Sequence, residues 1–363
     1  MYNPSFKPEI STSYEAGLDF RMFRNRVGLD FTFYHNLTIN QIIDSPVDPS
    51  TGYLRATMNS GNVRNRGYEV MLNFVPVVTR DFRWSSSLNW SRNENKILSL
   101  AEGSDENQVI YSMSGAIITG TVGGTTGDLW GYKYLRNEKG EMIIANGIPA
   151  RPSEVEYVGC IHPDWKAGLY NEINYKNIRL TALIDGVKGG IIYSQTWFKS
   201  AEQGKLKYTL NGRMPGTALY IDGSDPRLAA AGLHQISGMY TVAPGVVDNG
   251  DGTYSPNTQI VTVSNYYLES VRAANAEANT HDGSFIKLRE VRIDYSLPKR
   301  ILDKTPFTKL NVGLYGRNLA LWTKYPVYDP EAAMLDGGYI TMGIEAGTLP
   351  TTRTFGINLN LEF

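Results

Sequence analysis

The chain is short of what most soluble architectures need. It has one cysteine, Cys160, so neither a disulfide framework nor a cysteine metal site is available. It has no charge surplus: 35 Lys+Arg stand against 36 Asp+Glu, which gives no electrostatic footprint for nucleic acid and no acidic tail. No run approaches the ~20 apolar residues of a membrane-spanning helix, and mean hydropathy is -0.29. That excludes helical spans only, because the strands of a transmembrane barrel are half polar and vanish in an average. The opening MYNPSFKPEI lacks a basic region followed by an apolar one, so no export signal is expected there.

Catalytic patterns are missing too. GTVGGTTGDLWGYKY is glycine-rich but lacks the Gly-Lys-Ser/Thr of a phosphate-binding loop. DNGDGTY, Asp248–Tyr254, has the wrong spacing for a calcium loop, with Gln259 where a bidentate Glu belongs, and reads as a hairpin turn. His35, His162, His234 and His281 never pair at i, i+4 and sit in no carboxylate cluster, so no metal is expected. There is no nucleophile elbow and no marked glycosidase pair. The expectation is a protein without catalytic residues or cofactor.

What is present is alternation. At the C-terminus Phe355, Ile357, Leu359, Leu361 and Phe363 take every second position, with Gly356, Asn358, Asn360 and Glu362 between them. Side chains alternate faces along a strand, so one face is apolar and the other polar. The same pattern runs through Tyr14–Met22, Val27–Phe33, Tyr68–Phe74, Phe82–Trp90, Ala167–Tyr175 (where Asn171 spoils the row), Ile178–Ile184, Val291–Leu297 and Leu310–Leu314. That makes about nine strands of roughly ten residues. Their connections alternate between short (RNR, PVVTRD, KN, SLPKRILDKTP) and very long, at 37–65, 93–164, 187–284 and 319–351. Loops beyond ~15 residues are uncommon in compact domains. Long loops gathered at one end of an up-and-down sheet are the arrangement of an outer-membrane barrel. Aromatics near the ends of the apolar rows, such as Tyr14, Tyr68, Trp90, Tyr175 and Tyr295, suit membrane interfaces. A soluble sandwich remains the alternative, and it requires a second layer over the apolar rows.

Several runs carry a resemblance. SYEAGLDFRMFRNRVGLDFTFYHNLTINQI, STGY, NSGNVRNRGYEV, LWGYKY, DGSFIKLREVRIDYSLPK, GRNLALWTKYPVYDPE and TRTFGINLNLEF resemble the C-terminal barrel region of the SusC/RagA family of TonB-dependent outer-membrane transporters, from about Pro8 to Phe363. The resemblance implies an all-β fold: an antiparallel, up-and-down transmembrane barrel portion, about nine strands of a 22-stranded barrel, whose long extracellular loops carry short helices. Residues 1–363 would be the C-terminal part, without plug, TonB box or early strands. It further implies a lipid bilayer environment in the outer membrane, a SusD-like surface lipoprotein as partner, a TonB system acting through the N-terminal region, and an oligosaccharide or peptide as substrate. No nucleic-acid partner is expected, and a passive porin becomes the lesser alternative.

Aromatics in the long loops are the candidate substrate-binding residues, because sugar rings and peptide side chains stack on exposed aromatic faces. They are Trp130, Tyr132, Tyr134, Trp197, Phe198, Tyr266 and Tyr267. Packing of the loops against one another is the competing use of the same rings. TWFKSAEQGK and SNYYLESVRAANAEAN are expected to form short helices.

Overall fold

The computed structural model describes residues 6–46, 49–53, 55–100, 107–272, 274–331, 334–336 and 339–363. One antiparallel sheet organises the chain. Its strands are β1 Ile10–Met22, β2 Val27–Pro46, β3 Arg55–Val78, β4 Phe82–Leu100, β5 Pro163–Tyr175, β6 Ile178–Gly189, β7 Phe285–Ser296, β8 Lys309–Thr323 and β9 Thr354–Glu362. All nine lie side by side in chain order, with no crossover. β1 and β9 are the edges of this nine-strand sheet. Phe363 lies at the end of the short connections: Lys309 opens β8 opposite Glu362, and the Phe363 ring is 5.1 Å from that of Phe307 in the β7–β8 turn.

The register joins the apolar positions into continuous rows. Phe20 faces Leu29, Leu29 faces Leu72, Leu72 faces Leu88, Leu88 faces Leu169 and Leu169 faces Ile184. Further along, Leu180 faces Ile293, Ile293 faces Leu314 and Leu314 faces Ile357. These rows are uncovered: Leu18 is 58 % exposed, Leu314 54 % and Ile357 73 %. A soluble sandwich would have buried them. The hydrophobic core lies in the long connections instead. One cluster joins Ala116, Ile118 and Leu129 to Tyr193 and Ile344, and so fastens three loops together; a second joins Ile221, Leu228 and Tyr240. No helix among the described residues is long and apolar enough to cross a membrane.

Asn171, the residue that breaks its apolar row, is accounted for by hydrogen bonding. Its Oδ1 accepts from Trp84 Nε1 at 3.2 Å and from Ser86 Oγ at 3.0 Å, so three polar groups on the apolar face satisfy one another.

The strands reach further than alternation indicates. The β2–β3 ladder continues to Pro46 and Arg55, and the β3–β4 ladder to Gly61 and Leu100, so much of the supposed loop 37–65 and the start of 93–164 is strand. Asn36, Asn62, Asn65, Asn93 and Asn95 fill these stretches, which hides the two-face pattern while backbone pairing persists. At ~3.3 Å per residue β3 is about 80 Å long, whereas roughly 9–11 residues cross a bilayer. The β2–β3 register shifts at the Gln41–Gly61 pair; Gly61 has φ 120°, and a Cβ there would fall 2.0 Å from the Ser99 carbonyl oxygen. The expected helices form at α1 Gln195–Glu202 and α2 Val263–Ser270, with a further turn at Ala276–Asn279.

Candidate substrate-facing site

The polar face of the sheet is laced with charge pairs. Arg21 bridges Asp19 and Asp30 at 2.7 and 3.2 Å, Arg179 and Arg292 share Asp294, and Arg317 meets Glu290 at 2.7 Å. Toward the long-loop end this face bounds a cavity of about 820 Å³. Its wall is supplied by Asp30, Thr32, Glu69, Met71, Asn89, Lys166 and Asp185, and the loop residues Ile161, Ile191 and Met342 close over it. The last long loop enters the same space through Pro330 and Glu331.

A buried ion network pins that loop. The Lys287 ammonium, 2 % exposed, donates to Asp329 Oδ1 and Oδ2 at 2.8 and 2.6 Å and also pairs with Glu331. Arg289 grips Asp185 at 2.7 Å and pairs with Glu331 as well. Burial works to raise the pKa values of Asp329 and Glu331, but the surrounding donors outweigh it and hold both carboxyls below their usual range.

The seven aromatic candidates separate into different environments, and none of them lines the cavity. Trp197, at the start of α1, stacks on Tyr208 at 5.2 Å and meets the edge of His281 at 4.9 Å. Tyr208 continues to Tyr267 at 5.5 Å, and Tyr267 to Tyr266 at 5.0 Å. His281 in turn approaches Tyr325 at 6.0 Å. Tyr267 is buried, its hydroxyl 2.8 Å from the Asn211 carbonyl oxygen, and burial pushes its pKa up to about 12. Tyr134 donates its hydroxyl to the Ser270 carbonyl at 2.7 Å, and burial raises its pKa strongly. Tyr132 acts through its backbone, its carbonyl accepting from Ala276. Phe198 is buried, with the Lys199 ammonium 4.5 Å from its ring centre. Trp130 stands apart from this chain of rings, against Tyr157 at 5.9 Å.

So the loops bring Trp197, Tyr266 and Tyr267 together and add Tyr208, His281 and Tyr325, which sequence reasoning missed. Nothing local marks those three: 84 residues separate Trp197 from His281, 59 separate Tyr208 from Tyr267 and 44 separate His281 from Tyr325, so loop packing makes these contacts. The cavity residues were missed for a different reason. Asp30, Glu69 and Asp185 are ordinary polar-face positions until loops close over them.

Comparison with known proteins agrees with this architecture. The family described as TonB dependent receptor-like, beta-barrel matches residues 1–319. TonB-dependent receptor P3 of Formosa agariphila is 26 % identical over 391 residues, covering 99 % of this chain and 35 % of that protein. TonB-dependent receptor SusC of Bacteroides thetaiotaomicron is 24 % identical, covering 100 % of this chain and 33 % of its own length. Among solved structures, the RagAB peptide transporter superposes with a TM-score of 0.68 at 18 % identity, over 98 % of this chain and 35 % of that one. The chain therefore spans about a third of the length of these relatives. Its uncovered apolar belt, ion-paired polar wall and long loops at one end are those of an outer-membrane barrel, and the chain belongs to the TonB-dependent receptor-like β-barrel family.

Proposed function

We propose that this chain is the C-terminal barrel wall and loop cap of an active importer that takes up peptides or oligosaccharides with a SusD-like surface lipoprotein, powered by TonB through the N-terminal part of the same protein. The cavity under the loops carries the reading. A wall bearing Asp30, Glu69, Lys166 and Asp185 beneath Ile161, Ile191 and Met342 offers charge and apolar surface together. Peptides present both. A neutral oligosaccharide would want open aromatic faces, whereas Trp197 and Tyr208 turn theirs to each other. Peptides are therefore the favoured substrate class, and RagAB, which shares the fold, is a peptide transporter.

The test is growth and uptake by cells in which the complete transporter is deleted, then restored with or without its lipoprotein and TonB. Labelled peptide mixtures should accumulate only when all three are present. Uptake of oligosaccharides but not peptides would overturn the substrate class. Uptake unaffected by loss of TonB would overturn active transport.

A further inference from the structure

The apolar face changes character where the strands leave the belt. Along β3 its positions run Leu72, Val70, Tyr68, Arg66, Arg64, and along β4 they run Leu88, Trp90, Arg92, Glu94, Lys96. Lys188 of β6 stands opposite Trp165 of β5. Lys324 comes two residues after Trp322, which pairs with Ile286 and is 58 % exposed. On β3 and β4, then, cations follow the outermost aromatic on the membrane side; on β6 Lys188 is level with Trp165 of its neighbour, and Lys324 follows Trp322 just past the end of β8. The facing is fixed by the alternate positions. Asn95 accepts a hydrogen bond from Thr126 in the second long loop, and Val63 and Ile97 are buried, so this set of positions faces the loops. Arg64, Arg66, Arg92 and Lys96 consequently face away from them.

Few carboxylates answer these six cations. Glu94 is held by Arg64 at 3.2 Å and Arg66 at 2.9 Å. Asp164 lies over Gly189 in the β5 bulge, and Asp282 feels both Lys188 and Lys324. Among the described residues, Arg92, Lys96, Lys188 and Lys324 form no ion pair. The collar sits at the long-loop end, which is the outer side of such barrels. It begins where the aromatics place the interface.

We propose that this collar binds the phosphates of a phosphorylated glycolipid in the outer leaflet. Guanidinium forks and ammonium groups pair with phosphate oxygens. Their aliphatic stems lie along the apolar belt while their heads reach the headgroups. An acidic protein surface would be a less fitting partner, because the collar is continuous with surface that lipid chains cover.

The complete transporter, purified in mild detergent, is titrated with diphosphoryl lipid A and with the same lipid after phosphatase treatment, and bound lipid is read by native mass spectrometry. The phosphorylated lipid should bind at least tenfold more tightly. Arg92→Gln with Lys96→Gln should weaken it by about fivefold for each cation removed. Arg92→Lys should retain most of the affinity, and Lys176→Gln, in the turn at the opposite end, all of it. Heat-modifiable migration on gels verifies that each variant is a folded barrel. Equal affinity for the two lipids, unaltered binding by folded collar variants, or displacement by inorganic phosphate alone would each overturn the proposal. So would loss of a protein partner with lipid binding unchanged.

Discussion

Replacing Ile357 by arginine tests which face of the sheet meets lipid. Ile357 is 73 % exposed and faces Leu314, which is followed across the sheet by Ile293 and Leu180. It lies six residues from Phe363, about 20 Å along the strand at ~3.3 Å per residue. A strand tilted by ~45° converts that to about 14 Å of depth, close to the middle of an apolar band ~25 Å tall. An arginine there is too short to bring its head to the interface. The expected cost is about 2–4 kcal/mol, or roughly 30- to 900-fold in the folding equilibrium. The neighbouring Asn358 faces the opposite way, in a polar cleft shared with Asp294, Arg179 and Lys309. Arginine at 358 should cost less than about 1 kcal/mol, since water and a nearby carboxylate screen it. The assay is refolding of the complete barrel from urea into lipid vesicles, with equilibrium midpoints compared. Equal losses for the two variants, or a greater loss for Asn358→Arg, would refute the assignment of the apolar rows to lipid.

Other outcomes follow from particular contacts. Lys287→Met leaves Asp329 and Glu331 without their buried cation and should loosen the last long loop by about 3–5 kcal/mol, seen as faster proteolysis and amide exchange near residues 324–331. Asn171→Leu strips the acceptor from Trp84 Nε1 and leaves Ser86 Oγ only its longer bond to the Tyr170 carbonyl at 3.3 Å; it should cost about 1–3 kcal/mol, with part recovered by adding Trp84→Phe. Burial pulls the His281 pKa down to about 4, so the folded loops prefer the neutral ring. The unfolded ring protonates near pH 6.5; stability from this site is therefore complete above that pH and is lost as pH falls from about 6.5 toward 4. Amide protection in α1 should drop over that window and should lose its pH dependence in His281→Phe, whereas protection unchanged down to pH 4 would contradict the buried neutral ring.

The barrel wall is legible in the amino-acid pattern alone. A strand crossing a membrane needs only its own two-residue period, so Phe20, Leu29, Leu72, Leu88 and Ile357 announce their face without knowledge of any partner, and the short turns RNR and KN order the neighbours. Helices α1 and α2 were similarly local. The features that long-range packing sets lie beyond the membrane. Paired backbone carries β2 and β3 far past the last alternating residue, because asparagines on both faces leave hydrogen bonding intact while erasing the pattern. Trp197, His281 and Tyr325 meet although 84 and 44 residues separate the successive members, and loop packing of this kind sets Trp197, Tyr266 and Tyr267 in one chain of rings away from the cavity. Lys287 likewise reads as one more polar-face cation until Asp329 and Glu331 return to bury it. Local periodicity reports which side of a surface a residue occupies. What stands across from it depends on where distant chain segments are closed, and that is a property of the packed loops.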